Sequence, residues 1–160
     1  MRITARVAAV AAAILVASGL APVSDAAAAA SALPSSCPGT LKKTFSIPEG
    51  TKSYGNLYIY WDSATQRNCA KTVKFDTSKQ QQFWVGIFRC SRPNADTPQE
   101  CDTAEDAIQG RNYDDGNYWT YAGAVTTLGN SSGVCIYVAA EIELQRAARY
   151  ARRDWVGLCG

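Results

Sequence analysis

Residues Gly55–Phe75 read GNLYIYWDSATQRNCAKTVKF and have the pattern of two β-strands joined by a polar turn. In the first arm Leu57 and Ile59 alternate with tyrosines, which is the two-residue period of a strand. The polar run Asp62–Asn68 interrupts this pattern, because Asp and Ser side chains favour turns through hydrogen bonds to the backbone. The second arm, Cys69–Phe75, begins with a cysteine. An isolated hairpin is only marginally stable in water, so the sequence predicts that further strands or a disulfide complete the fold.

Other segments of the chain repeat this pattern. The run Phe83–Cys90 is almost continuously apolar, and its length and aromatic content favour a strand buried on both faces. The run Val134–Leu144 alternates, with apolar residues on one side, and we expect Glu141 and Glu143 on the other side to face solvent. Shorter strands are predicted at Lys43–Pro48 and at Tyr118–Leu128. Within the second of these, Gly123 is expected to be a bulge or a position of close approach. A turn is predicted at Arg111–Asn117. The stretch Gln145–Asp154 leaves a short helix, a loop or a short strand open, and we favour a loop or a short strand.

The first 30 residues have the pattern of a secretory signal peptide. Arg2 and Arg6 form a positive region, and the apolar run Val7–Ala21 follows it. This run is about 15 residues long, whereas a membrane-spanning helix needs roughly 18 or more. A retained N-terminal anchor is the alternative interpretation. We expect cleavage within the small residues Ala26–Ala30, so that residues 1–30 are removed.

The remaining chain of about 130 residues has the size of one compact domain. We expect residues 31–36 to form a flexible leader and residues 37–160 to form a single disulfide-linked β domain. Without Arg2, Arg6 and Asp25, the chain keeps 14 basic and 13 acidic residues. This near balance argues against nucleic acid as a partner, because nucleic-acid binding needs a strongly basic surface.

All six cysteines lie after the signal peptide. An even number of cysteines in a secreted chain indicates a disulfide framework, here of three bridges. Cys90 and Cys101 flank a polar excursion with two prolines, so the sequence predicts a local disulfide that closes this loop. The chain has no histidine and no C-x-x-C motif, which gives a zinc site no support. The cysteines are Cys37, Cys69, Cys90, Cys101, Cys135 and Cys159.

Composition also limits the catalytic chemistry open to the chain. Without histidine, Ser-His-Asp and Cys-His arrangements are excluded. Glu141 with Glu143, or Asp114 with Asp115, could form a carboxylate pair, but solvated acids are the commoner role of such residues. The run Asp114–Asn117 favours a plain turn over a calcium loop, since it lacks spaced oxygen ligands. We therefore expect a protein that is not an enzyme and that binds no metal or cofactor.

Aromatic and basic residues are the candidates for a binding surface. We expect Tyr58, Tyr60 and Tyr137 to face outward on adjacent strands, where they could stack on the apolar faces of a carbohydrate. Cross-strand packing within the sheet is the alternative role. Arg149 and Arg152 belong to a basic stretch that could contact an anionic wall polymer or an acidic partner. Neighbouring acidic residues could instead neutralise this stretch.

A tyrosine-rich arm with an Asn-Cys-Ala step, the sequences NYWTYAGAV and VCIY, and a closing DWVGLCG occur together and in order. They lie at Gly55–Ala70, Asn117–Val125, Val134–Tyr137 and Asp154–Gly160. This combination resembles the spore-associated protein A family, which comprises small secreted proteins of spore-forming actinobacteria. The resemblance covers most of the chain after the signal peptide, although the Arg-rich stretch Arg146–Arg153 departs from it. It implies association with spores or the outer surface of hyphae, and no established enzymatic activity.

The resemblance also bears on the disulfides. In that family four cysteines recur at positions similar to Cys37, Cys69, Cys135 and Cys159, and the other two lie here in an insertion. An insertion with two cysteines is most simply closed on itself, which strengthens the local pairing. The other four cysteines allow three pairings. We favour Cys69–Cys135, which would join the two clearest strands, together with Cys37–Cys159, which would tie the termini.

Together these features predict a mainly β protein: a single disulfide-stabilised antiparallel β-sandwich or small barrel after a cleaved signal peptide. We expect a secreted, monomeric, noncatalytic protein with no membrane span after cleavage. Its expected role is binding or coating at the extracellular, spore or cell surface, with spore envelope or cell-wall polymer as the partner. The alternative is a protease-inhibitor-like module that presents the Cys90–Cys101 loop, with Arg92 as its anchor.

Overall fold

The computed structural model of the chain describes residues 36–90, 94–97, 101, 112–144 and 149–159. These residues form a mainly β protein with eight strands. The strands are β1 (Thr40–Glu49), β2 (Lys52–Asp62), β3 (Arg67–Lys74), β4 (Gln81–Arg89), β5 (Asn112–Tyr118), β6 (Tyr121–Thr126), β7 (Ile136–Leu144) and β8 (Arg149–Gly157). Within the described ranges, no helix is long and apolar enough to cross a membrane.

The strands form two antiparallel sheets of four strands each, which do not close into a barrel. The first sheet has the order β1-β2-β3-β6, and the second sheet has the order β5-β4-β7-β8. Apolar side chains from both sheets meet in one core, so the architecture is that of a β-sandwich. This confirms the predicted fold class in its sandwich form.

The predicted hairpin is the centre of the first sheet. β2 pairs with β3 in antiparallel register, with Tyr60 opposite Cys69. Asp62 shapes the connecting turn: its carboxylate accepts hydrogen bonds from the Ala64 N–H at 3.0 Å and from the Thr65 hydroxyl at 2.7 Å. The predicted hairpin and the predicted role of an Asp side chain in its turn are therefore confirmed.

The core is built from one face of each sheet. Leu57 and Ile59 of β2 are fully buried, as are Val85 and Ile87 of β4. Because successive side chains in a strand point to opposite faces, the residues between them lie on the outer face of their sheet. On β7 the predicted alternation is confirmed, since the apolar positions at Ile136, Val138, Ala140 and Ile142 are all buried.

The predicted turn at Arg111–Asn117 is wrong. Its residues from Asn112 onward form the edge strand β5, which pairs with β4. Asp114 is drawn into this strand because its carboxylate accepts hydrogen bonds from the Tyr118 hydroxyl at 2.5 Å and from the Gly123 N–H at 2.6 Å. The pairing with β4 and the bond to Gly123 of β6 thus replace the local turn contacts that the Asp and Gly residues would otherwise favour.

The predicted strand at Tyr118–Leu128 is interrupted. The chain bends at Trp119 and Thr120, so that β5 belongs to the second sheet and β6 to the first. Gly123 of β6 is the expected close-approach position, because a Cβ there would lie 2.8 Å from the carbonyl oxygen of Ala70 and its φ is +95°. The stretch Gln145–Asp154 ends in β8, in agreement with the short strand that we favoured, and its residues 145–148 lie outside the described residues.

Three disulfides are present, and one of them has the predicted partners. Cys90 pairs with Cys101 as expected. The pairings Cys69–Cys135 and Cys37–Cys159 are wrong, because the structure joins Cys37 to Cys69 and Cys135 to Cys159. The reason is the sheet assignment. The segment before β1 runs beside the first sheet, near Cys69 of β3, whereas β7 pairs with β8 and thereby brings the cysteine before β7 next to the one after β8.

Side chains bridge the two open sides of the sandwich. Between β1 and β8, Arg149 forms an ion pair with Glu49, and Arg153 Nε donates a hydrogen bond to the carbonyl oxygen of Ser46 at 2.8 Å. Between β5 and β6, Asn112 Nδ2 donates to the carbonyl oxygen of Thr126 at 2.9 Å, beside the Asp114 contacts. Two arginines of the basic stretch therefore serve to connect the sheets.

The Tyr118–Asp114 contact predicts a sensitivity to alkaline pH. Burial, and then the hydrogen bond to the Asp114 carboxylate, raise the pKa of Tyr118 well above its ordinary value. Above pH 10 the unfolded chain loses this phenolic proton while the folded chain keeps it, so the free energy of unfolding falls as the pH rises. We expect a smaller fall in Tyr118→Phe, which is measured by urea unfolding at about pH 8 and about pH 11. An equal fall in both proteins would contradict this assignment.

Candidate functional site

The outer face of the second sheet carries a group of aromatic side chains. On β4 the side chains of Phe83, Val85 and Ile87 enter the core, so Trp84 and Phe88 lie on the outer face. The register of β4 with β5 and β7 places further side chains beside them. We call this surface the aromatic face and define it by Trp84, Gly86, Phe88, Tyr113, Asp115, Tyr137, Ala139, Glu141 and Arg152.

The centre of the aromatic face is a depression made by small residues. Gly86 of β4 lies opposite Tyr113 of β5 on one side and opposite Ala139 of β7 on the other. A Cβ at Gly86 would lie 2.6 Å from Trp84 Cζ3 and 3.0 Å from Phe88 Cε2, so both rings lean over this glycine. Only a residue without a side chain leaves room for this arrangement.

The depression holds a cavity on its β5 side. Its volume is about 260 Å³, and the described residues that line it are Trp84, Phe88, Tyr113 and Asp115. Tyr113 is 60% exposed and Phe88 is 9% exposed, so the cavity has one deep wall and one open wall. Aromatic walls with few polar groups are also a feature of small-molecule binding sites.

A hydrogen-bonded network fixes the other side of the depression. Trp84 Nε1 donates to Glu141 Oε2 at 3.0 Å, and Arg152 Nη1 lies 3.3 Å from Glu141 Oε1. A further side-chain hydrogen bond joins Arg152 to Tyr137, whose ring stacks on Phe88 at 5.3 Å between centroids. Burial alone would lower the pKa of Arg152, but the bond to Tyr137 and the charge of Glu141 raise it, so its guanidinium stays charged. The network therefore holds the rings in place without a ligand, which lowers the entropy lost on binding.

The structure brings together only some of the predicted binding residues. Tyr137 and Arg152 are joined on the aromatic face. Tyr58 and Tyr60 face outward from β2 in the first sheet, on the opposite side of the sandwich, so the expectation that they neighbour Tyr137 is wrong. The reason is that β7 pairs with β4 and β8 and not with the central hairpin. Arg149 lies at the β1–β8 edge, where it pairs with Glu49.

The first sheet has a smaller aromatic cluster on its own outer face. Tyr58 lies opposite Lys71, and the Lys71 ammonium lies 4.0 Å from the centroid of the Tyr121 ring. Asn56 Nδ2 donates to the Tyr58 hydroxyl at 3.1 Å. The Lys71–Tyr121 contact joins the neighbouring strands β3 and β6, whereas the Asn56–Tyr58 bond lies within β2. The position of Tyr58 opposite Lys71 fits the cross-strand role proposed as the alternative for this tyrosine.

Sequence reasoning did not place Trp84, Phe88 and Asp115 together on one outward surface. The apolar run of β4 was interpreted as buried on both faces, and Asp115 was assigned to a turn. The available signal was Gly86 inside that run, since an isolated glycine in a strand marks a bulge or a close approach. Glu141 is also less exposed than expected: its side chain is 22% exposed and both carboxylate oxygens have partners.

The structure also bears on the predictions about a metal site and about the Cys90–Cys101 loop. Within the described part of the chain, no group of three or more Cys, Asp or Glu residues is arranged to hold a metal ion. In the Cys90–Cys101 loop, Ala95 is 2% exposed and packs with Cys90, Cys101 and Cys135. This part of the loop turns toward the body of the protein. Arg92, the predicted inhibitory anchor, lies outside the described residues.

Comparison with known proteins identifies no relative. No family model matches the chain, and neither a curated protein nor a solved structure matches it. The resemblance to the spore-associated protein A family therefore stays an expectation from sequence motifs.

Proposed function

We propose that this protein is a secreted, noncatalytic binding protein that attaches to a cell-wall or spore-envelope glycan through the aromatic face. The observation that carries the proposal is the depression over Gly86, which is walled by Trp84, Phe88 and Tyr113. Of these outward rings, Tyr113 is 60% exposed and therefore buries less apolar surface than it would in the core, whereas Phe88 is 9% exposed. Their convergence over a glycine is therefore better explained by a ligand than by stability alone.

The chemistry of the aromatic face suits a sugar. Aromatic rings pack on the apolar C–H faces of a pyranose, and rigid side chains lose little conformational entropy when they do so. Glu141 and Arg152 provide a hydrogen-bond acceptor and donors at the rim for the hydroxyl groups of the same ligand. Because the carboxylate and the guanidinium largely neutralise each other, this side of the face favours an uncharged part of the polymer.

The disulfides support the proposed location. Three bridges connect Cys37 with Cys69, Cys90 with Cys101 and Cys135 with Cys159, and none of the described cysteines is free. Such frameworks persist in oxidising compartments outside the cytosol. Together with the signal-peptide pattern of residues 1–30, they favour action at the outer surface of the cell or spore.

Trp84→Ala is expected to weaken retention on purified cell-wall glycan or isolated spore envelopes about tenfold, or about 1.4 kcal/mol. The substitution removes one wall of the depression and the partner of Glu141 Oε2. The measurement is a pull-down at moderate salt over a range of polymer concentrations, with circular dichroism to verify folding. Tyr58→Ala is the matched control, because it removes an aromatic ring from the opposite side of the sandwich.

The comparison of Trp84→Ala with Tyr58→Ala also defines the results that would contradict the proposal. Equal retention of wild type and Trp84→Ala, or loss of retention in Tyr58→Ala alone, would assign binding elsewhere. Absence of retention for the wild-type protein on every surface polymer tested would refute attachment itself.

A further inference from the structure

The cavity over Gly86 has a composition that a neutral sugar site does not require. Of the lining residues that the structure describes, Trp84, Phe88 and Tyr113 are aromatic, and Asp115 is charged. The faces of aromatic rings are negative, and they attract cations that come within about 6 Å of the ring centroid. A carboxylate added to such walls gives a site in which every polar feature favours positive charge.

Among the residues that the structure describes, none forms an ion pair with Asp115. At outward positions of the second sheet, the only basic side chain in those residues is Arg152. Arg152 is on β8, two strands away from β4, and is engaged by Glu141 and Tyr137. The two acids beside Trp84 thus differ: Glu141 is paired, whereas Asp115 gives the described lining of the cavity a net negative charge.

We infer that this cavity binds an ammonium group, and that the ligand of the aromatic face is a sugar with an unacylated amino group. The inference rests on the proposed function, because the cavity is part of the aromatic face. An amino sugar has both an apolar ring face and a positive charge, and the site can bind each of them. Its apolar ring face suits Trp84, and its protonated amine suits the aromatic walls and the Asp115 carboxylate.

The test uses small probes and the full mature protein. Glucosamine at mildly acidic pH carries the sugar ring and the charge, N-acetylglucosamine carries the ring alone, and tetramethylammonium carries the charge alone. Binding is followed by NMR through the indole N–H of Trp84, which donates to Glu141 and lies at the cavity wall. The signal is assigned by its loss in Trp84→Phe.

We expect glucosamine and tetramethylammonium to shift this signal with saturation, and N-acetylglucosamine to bind about fivefold more weakly than glucosamine. Asp115→Asn should weaken binding of both cations about fivefold at low salt, with a smaller difference at high salt because the charge is exposed. Asp76→Asn is the matched control, since it makes the same change of charge in the exposed loop between β3 and β4. It should leave binding unchanged.

Three results would overturn the inference: no shift with either cation, equal binding of glucosamine and N-acetylglucosamine, or equal loss in Asp115→Asn and Asp76→Asn. These outcomes are separate from a failure of the proposed function. If the polymer retains wild type but not Trp84→Ala while the cations fail to bind, the face binds a neutral glycan. If no polymer retains the wild type, the proposed function itself fails.

Discussion

Replacing Ile59 with alanine is expected to lower the free energy of unfolding by about 2–5 kcal/mol. Ile59 is fully buried on the inner face of β2, in the core cluster that also contains Val85 and Val138 of the second sheet. The substitution removes apolar contacts and leaves a cavity that a rigid sheet cannot fully close. Urea unfolding at neutral pH, analysed for both midpoint and slope, measures the change.

Tyr58→Ala is the matched control for Ile59→Ala. The two residues are neighbours in β2 but point to opposite faces, and Tyr58 is half-buried on the outer face of the first sheet. We expect this change to cost less than about 1 kcal/mol. A larger loss in Tyr58→Ala than in Ile59→Ala would mean that the strand presents the opposite face to the core, which is a register error of one residue.

Removing the Cys37–Cys69 disulfide by the double substitution Cys37→Ala and Cys69→Ala is expected to cost about 4 kcal/mol. The bridge spans 32 residues of sequence and includes both strands of the β1–β2 pair, so its loss releases a large loop in the unfolded chain. The comparison is the pair Cys90→Ala and Cys101→Ala. Its bridge spans 11 residues, for which the same chain-entropy argument gives about 3 kcal/mol.

Peptide mapping without reduction tests the pairing independently of stability. Proteolysis of the oxidised protein should release one linked peptide that contains Cys37 and Cys69 and another that contains Cys135 and Cys159. A peptide that links Cys69 to Cys135 would contradict the sheet assignment. Those two cysteines belong to segments of different sheets, and a disulfide needs Cα atoms within about 7 Å.

The core and the proposed binding site lie on opposite faces of the second sheet. The inner faces of the two sheets supply the apolar core, and Arg149 and Asp114 join the sheets at their two open sides. The described side chains on the outer face of the second sheet neither form the core nor join the sheets. Trp84 and Phe88 on this face are arranged around Gly86. This arrangement places the proposed site on rigid strands, where the side chains of the aromatic face keep their geometry.

Much of the local structure follows from the sequence by itself. The two-residue period of β2 and of Val134–Leu144 determines that these segments are strands and which apolar side chains they bury. In β3 the period indicates a strand but not its buried face, because Thr72 and Lys74 are buried whereas Phe75 is 56% exposed. Asp62 determines the hairpin turn through bonds to residues two and three positions away. Cys90 and Cys101 pair across a short loop, as expected of cysteines close in sequence. These features depend on residues that are close in sequence, so the local sequence pattern predicts them.

Only the tertiary structure decided how the strands are combined. The period of a strand does not say which sheet it joins, and that choice determined the pairing of Cys37 with Cys69 and the separation of Tyr58 from Tyr137. The pairing of β5 with β4, together with the hydrogen bond that Asp114 accepts from Gly123 of β6, overrode the turn preference of Asp114. The aromatic face has the same origin, because its residues come from β4, β5, β7 and β8 and meet through the register of the sheet. Contacts between residues distant in sequence form only when the whole sheet forms, so a local sequence pattern does not predict them.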